Sequence, residues 1–123
     1  GLPSDIAFDA EIGPAHEIDL RSTVRAVALD LLSGTSPGCV ASRFHATVVE
    51  ATSAVVARVI AATGLRRVVL SGGSFQNRIL ERALVVRLGA SRVSMAREVP
   101  LNDGGIALGQ AWSAVLALAS EST

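Results

Sequence analysis

Val68-Val69-Leu70-Ser71-Gly72-Gly73-Ser74-Phe75-Gln76-Asn77 reads as a strand, a tight glycine turn and the start of a helix. Val68, Val69 and Leu70 are a short apolar run rich in β-branched residues, which suits a strand covered on both faces. Gly72-Gly73 lets the backbone turn sharply and approach a ligand with no Cβ in the way. From Phe75 on, apolar residues recur at helical spacing, so the helix is expected over 74–88. A strand that feeds a helix through glycines offers free N–H groups and the positive end of a helix dipole, a common phosphate cradle. Tight packing alone also selects a glycine pair, and both readings stand at this point. No Gly-Lys-Ser/Thr follows and the chain has no lysine, which excludes a P-loop; the GxGxxG dinucleotide pattern is absent too.

The 123 residues suffice for one small domain. Half are hydrophobic and only 18% charged, which predicts an aliphatic core and excludes disorder. Uninterrupted apolar runs fall well short of the ~20 residues of a membrane span. No basic-then-apolar leader opens the chain. No membrane association and a cytoplasmic location are the expectations. Formal net charge is zero and all 11 cations are arginine. Residues 1–20 hold five acids and no base, whereas residues 43–97 hold nine arginines against Glu50 and Glu81. Aromatics for base stacking are missing among those arginines, so no nucleic-acid partner is expected. The single Cys39 cannot form an internal disulfide and is expected as a small, buried or half-buried residue at a helix start.

Residues 1–18, with Pro3, Gly13 and Pro14, form an acidic segment in which Ile6, Phe8, Ala10 and Ile12 alternate as in a half-buried edge strand. The remaining 19–123 read as one lobe. Asp19 is placed as an N-cap ahead of the helical stripe Leu20, Val24, Val27 and Leu31, with Gly34 as the stop. Ser36-Pro37 starts a second helix, and Val40, Phe44, Val48, Ala51, Val55, Val59 and Ala62 stripe it as far as Gly64. A strand over 67–71, the helix over 74–88 and a second strand over 92–96 follow. The helical connection makes those strands parallel. Gly104-Gly105 opens a last helix with Ile106, Leu108, Trp112, Val115 and Leu116 on its apolar face, fraying from 120. The fold class is therefore α/β, of order roughly (β)ααβαβα. Two certain strands make a poor sheet alone. The rest of the domain, or self-association as a homodimer, is expected to complete it.

Asn102-Asp103-Gly104-Gly105 is the second constellation. In a parallel sheet it and Gly72-Gly73 lie at the carboxyl ends of neighbouring strands, where α/β proteins place ligands. On spacing alone, helix capping is the favoured reading of Asn102-Asp103; a carboxylate for a hard or borderline metal beside phosphates is the alternative.

Taken together, Ser71-Gly72-Gly73-x-Phe75-Gln76-Asn77 and Asn102-Asp103-Gly104-Gly105-Ile106-Ala107-Leu108-Gly109-Gln110, with Arg43-Phe44-His45 upstream, resemble the C-terminal end of the carbamoyltransferases that mature nickel–iron hydrogenases, the HypF family. The match runs from about residue 19 to 117. The resemblance implies part of an actin-like/hexokinase-like ATPase lobe. It implies an enzyme that makes carbamoyl-adenylate from carbamoyl phosphate and ATP, then passes carbamoyl to a cysteine of a HypE-like acceptor protein. It implies nucleotide contacts from Gly72, Gly73, Asn77 and Gly104. Asp103 would hold a divalent metal (iron, magnesium or zinc), with Asn102 beside it near the substrate. No residue is assigned as catalytic. Ser74 departs from the family, which usually has a hydrophobic residue there. The family's N-terminal lobe with its His-x-x-x-His pair, and its other domains, are missing from this sequence. The isolated chain is therefore expected to lack complete transferase activity, and a nucleotide-binding or dimerisation module derived from that lobe is the alternative. His45 reads as a structural histidine. Gly73→Val is expected to act by steric block and by forbidding a positive φ.

Overall fold

The computed structural model describes residues 2–96, 98–100 and 102–121. Its spine is α2 (Pro37–Thr63), set up by the signals its sequence carries. The Ser36 Oγ accepts the Cys39 N–H at 3.3 Å, Pro37 occupies the first turn, and Gly64 closes the helix in the left-handed region. Cys39 sits in that first turn but is exposed, against the expectation of burial. By length and composition α2 would pass as a membrane span. Yet Val40, Ala46, Thr47, Val49 and Ala51 are buried against other elements of this chain.

Ahead of the spine, the acidic segment is not a continuous edge strand. A 3-10 turn (Ser4–Ile6) leads to an extended stretch, then to a two-residue β1 (Glu11–Ile12) paired antiparallel with β2 (Ile18–Asp19). Of the alternating apolar residues only Phe8 is fully buried. Side-chain hydroxyls and one arginine hold the segment on the helices. Thr47 Oγ1 accepts the Phe8 N–H at 2.8 Å and donates to the Arg43 carbonyl at 2.9 Å. Thr23, completely buried, donates to the Asp9 carbonyl at 2.7 Å. Arg43 donates to the Ile6 carbonyl, lies 4.0 Å over the Phe8 ring and pairs with Asp30. The arginine of the Arg-Phe-His run is thus a structural clamp.

Asp30 belongs to α1 (Arg21–Leu32), which starts one residue later than expected. Leu20 holds the cap position. Asp19, in β2, still satisfies a first-turn donor by accepting the Arg21 N–H at 2.9 Å. The expected apolar stripe of α1 is only partly covered: Val24 and Leu31 are exposed and, with α2, border an apolar groove.

Beyond Gly64, β3 (Val68–Leu70) and β4 (Val93–Met95) pair in parallel, Val68 opposite Val93 and Leu70 opposite Met95. Between them runs α3 (Arg78–Leu88). The core is Val49, Leu70, Ala83 and Leu84, with Phe75, Leu80 and Met95 packed around it. Leu70 is buried while Val69 is 67% exposed, so β3 is covered on one face, not on both as its apolar run indicated. The final helix α4 (Ile106–Glu121) follows a 3-10 turn (Asp103–Gly105). A Cβ on Gly105 would fall 2.5 Å from the Pro100 carbonyl oxygen, so glycine is required where this loop folds back. The helix persists past 120, where fraying was expected; residues 122–123 lie outside the described residues. The apolar face foreseen for α4 exists, but Ile106, Leu108, Trp112, Val115 and Leu116 are all exposed.

Candidate functional site

At the carboxyl end of β3 the chain turns through Gly72, whose φ of +101° only glycine adopts without strain. Gly73 is different. Its φ is not in that region and a Cβ there would meet open space. The expectation that Gly73 carries the positive φ is therefore corrected: the strain argument belongs to Gly72, and any block by Gly73→Val would fall on a ligand. The stretch 73–76 forms a 3-10 turn, not the first turn of a helix over 74–88. Its first bond runs from the Phe75 N–H to the Gly72 carbonyl at 3.1 Å. The N–H groups of Gly73 and Ser74 precede that bond and have no acceptor among the described residues.

Asn77 is the true start of α3. It is extended, and its Oδ1 accepts the N–H groups of Ile79 at 3.0 Å and Leu80 at 3.3 Å. Its Nδ2 donates to His45 Nε2 at 2.8 Å. His45 stands on α2, and its Nδ1 lies 2.7 Å from the Ala41 carbonyl. Phe44, His45 and Val48 of α2 face Gly73, Ser74, Asn77 and Leu80 across a cleft of about 470 Å³. That size suits a small ligand. The cleft offers hydrogen-bond donors at one wall and apolar surface at the other. Its lining contains no carboxylate and no arginine. It is built to hold and orient, since His45, its one titratable lining group, has both nitrogens engaged.

The second constellation lies at the carboxyl end of β4. Asn102 Oδ1 accepts the Gly104 N–H at 3.1 Å, so capping occupies that side chain. Asp103 and Gly104 are exposed. Neither Asn102, Asp103 nor Gly104 lines the cleft beside Gly73, although both loops leave the same edge of the parallel pair. No group of three His, Cys, Asp or Glu side chains suited to a metal occurs among the described residues. Asp103 amounts to one ligand. His45 is the residue whose place sequence reasoning missed: it joins the glycine turn through a partner 32 positions away, and no local periodicity marks that.

Residues 3–110 match the family model described as carbamoyltransferase, Kae1-like domain, second subdomain. Carbamoyltransferase HypF2 of Cupriavidus necator is 41% identical over 93% of this chain, which covers 13% of that protein. Carbamoyltransferase HypF of Rhodobacter capsulatus is 38% identical over 73% of the chain, covering 12% of its length. A solved structure, full-length HypF in a phosphate- and nucleotide-bound form, superposes with a TM-score of 0.80 at 39% identity over 85% of the chain and 14% of that protein. The chain thus spans about an eighth of the length of these relatives.

Proposed function

The chain belongs to the HypF carbamoyltransferase family, matching the second subdomain of its Kae1-like domain, and from that premise we propose that it supplies one wall of a nucleotide site within an actin-like ATPase lobe. The whole protein would form carbamoyl-adenylate from carbamoyl phosphate and ATP. It would then transfer the carbamoyl group to a cysteine of a HypE-like acceptor in the cytoplasm. The observation that carries the reading is the cleft at Gly73: two backbone N–H groups without acceptors among the described residues and the Asn77 side-chain amide nitrogen stand at one wall. Such donors suit phosphate or carbamoyl oxygens, whose developing charge they stabilise without reorganising. The phosphate and nucleotide in the related HypF structure agree with that chemistry.

Asp103 would be a ligand to a divalent ion shared with residues outside this chain. The donor set here does not make a metal site by itself, so no step is assigned to a metal. With no acid–base pair in the cleft, the isolated chain is expected to bind nucleotide and to show no carbamoyl transfer. A second reading, a nucleotide-binding or dimerisation module without chemistry of its own, is favoured by the bare apolar face of α4.

The test is titration of the ¹⁵N-labelled chain with AMP. Shifts at the amides of Gly73, Ser74 and Asn77 are expected, weakened about tenfold in Gly73→Ala, whose added methyl enters the cleft. Unmoved amides at these three positions would refute the nucleotide reading. Concentration-independent sedimentation as a monomer would remove the dimerisation alternative.

A further inference from the structure

We propose that His45 is a positioning residue that, together with the helix cap, holds the polarity of the Asn77 amide, so that the cleft wall beside Gly73 presents the amide N–H and not the amide oxygen to its ligand. The inference rests on the nucleotide reading of that cleft and adds the group that sets which atoms such a ligand meets.

The hydrogen-bond network has one consistent assignment. The Ala41 carbonyl oxygen can only accept, so His45 Nδ1 carries a hydrogen and donates to it at 2.7 Å. Asn77 Oδ1 receives two backbone N–H groups, from Ile79 and Leu80, so the atom turned to His45 is the amide nitrogen. That nitrogen can only donate, so His45 Nε2 must be a bare lone pair. The imidazole is therefore the neutral Nδ1–H tautomer, selected by a helix carbonyl on one side and an amide on the other.

The amide has two hydrogens. One goes to His45, and the other has no acceptor among the described residues. It joins the N–H groups of Gly73 and Ser74, which also have none. These three donors, with the Ser74 hydroxyl able to donate beside them, suit an oxygen-rich, electron-rich group: a phosphate or a carbamoyl carbonyl. Without the His45 lone pair, only the two cap bonds from the Ile79 and Leu80 N–H groups oppose rotation of the amide, and a flipped Asn77 would offer its oxygen to the cleft and repel that group. It would also lose the cap of α3. His45 thus couples ligand polarity to the start of the helix.

The experiment has two arms on the 123-residue chain, with His45→Phe and His45→Gln as variants. Phenylalanine keeps the ring shape and removes the acceptor. Glutamine restores an oxygen that can accept from Asn77. In the ligand-free arm, ¹⁵N imidazole shifts should report the Nδ1–H tautomer. The Asn77 side-chain amide resonances should move in His45→Phe and return in His45→Gln. An Nε2–H tautomer, or Asn77 signals indifferent to His45→Phe, would overturn the proposal even if that variant proved too unstable for binding work. In the second arm, AMP affinity should fall about tenfold in His45→Phe and recover to within about twofold in His45→Gln. Equal affinity in His45→Phe and the parent chain overturns the proposal, as does a glutamine variant no better than phenylalanine. If the parent chain ignores AMP while the first arm is as expected, the nucleotide reading fails, and with it the ligand named here; the His45–Asn77 pairing stands on the first arm.

Discussion

Gly72 and Gly73 are neighbours with different demands on the fold. Gly72 is held at φ +101°, where any Cβ is strained, so Gly72→Ala is expected to cost at least about 1 kcal/mol in urea unfolding. Gly73→Ala, with open space around the new methyl, should leave the unfolding free energy within about 0.5 kcal/mol. A pair of equal losses would place the strain elsewhere. The sequence announced a glycine turn here, but a Gly-Gly dipeptide does not say which residue takes the left-handed φ; only the path between β3 and the following turn decides that. Thr47 was hidden more deeply. It lies off the apolar stripe read for α2, yet it is 1% exposed. Its hydroxyl is the acceptor for the Phe8 N–H. Thr47→Val keeps the shape and orphans that donor, so a loss of about 1–3 kcal/mol is expected by chemical denaturation.

Elements were legible where their end signals are local. Ser36-Pro37 and Gly64 bracket α2 as read, because a cap, a first-turn proline and a left-handed glycine act within one turn of the backbone they terminate. The start of α3 was misplaced because Phe75 falls at helical spacing yet belongs to a 3-10 turn packed on the core. The capping side chain of Asn77, four residues beyond Gly73, is the signal that marked the true start. The short β1–β2 pair also carries a pH signature. Hydrogen bonds from the Arg21 side chain and backbone lower the Asp19 carboxyl to about 2. The unfolded chain has a value near ~3.9 and takes up that proton first. The contribution of Asp19 is therefore complete above about pH 4 and disappears as pH falls towards about 2. Glu50, lowered chiefly by its hydrogen bonds to Arg87, acts in the same direction. Asp19→Asn is expected to lower the neutral plateau of a stability–pH curve followed by circular dichroism and to flatten its acid limb, so that variant and parent converge towards about pH 2. An unchanged acid limb would show that the pair does not survive in solution.

At the scale of the molecule, the exposed surface is 8644 Å², against about 6,200 Å² for a compact protein of this mass. The excess has an address. Trp112 is 63% exposed and Leu116 53%, and α4 buries none of its described side chains, whereas Leu84 is 1% exposed between α3 and its neighbours. Composition showed that α4 is apolar but could not show that the described residues leave that face bare, because hydropathy records what a face prefers and not what meets it. The energetic consequence is direct. A side chain that meets no other element of the fold adds little to the hydrophobic term. Trp112→Glu combined with Leu116→Glu should therefore leave the free energy of urea unfolding within about 0.5 kcal/mol of the parent chain, while lowering the binding of a dye that reports exposed apolar surface. Leu84→Ala, by contrast, should cost about 2–5 kcal/mol. If the α4 double variant destabilised the chain as much as Leu84→Ala, α4 would have to pack on the core in solution, and its apolar face would no longer be free for the rest of the lobe.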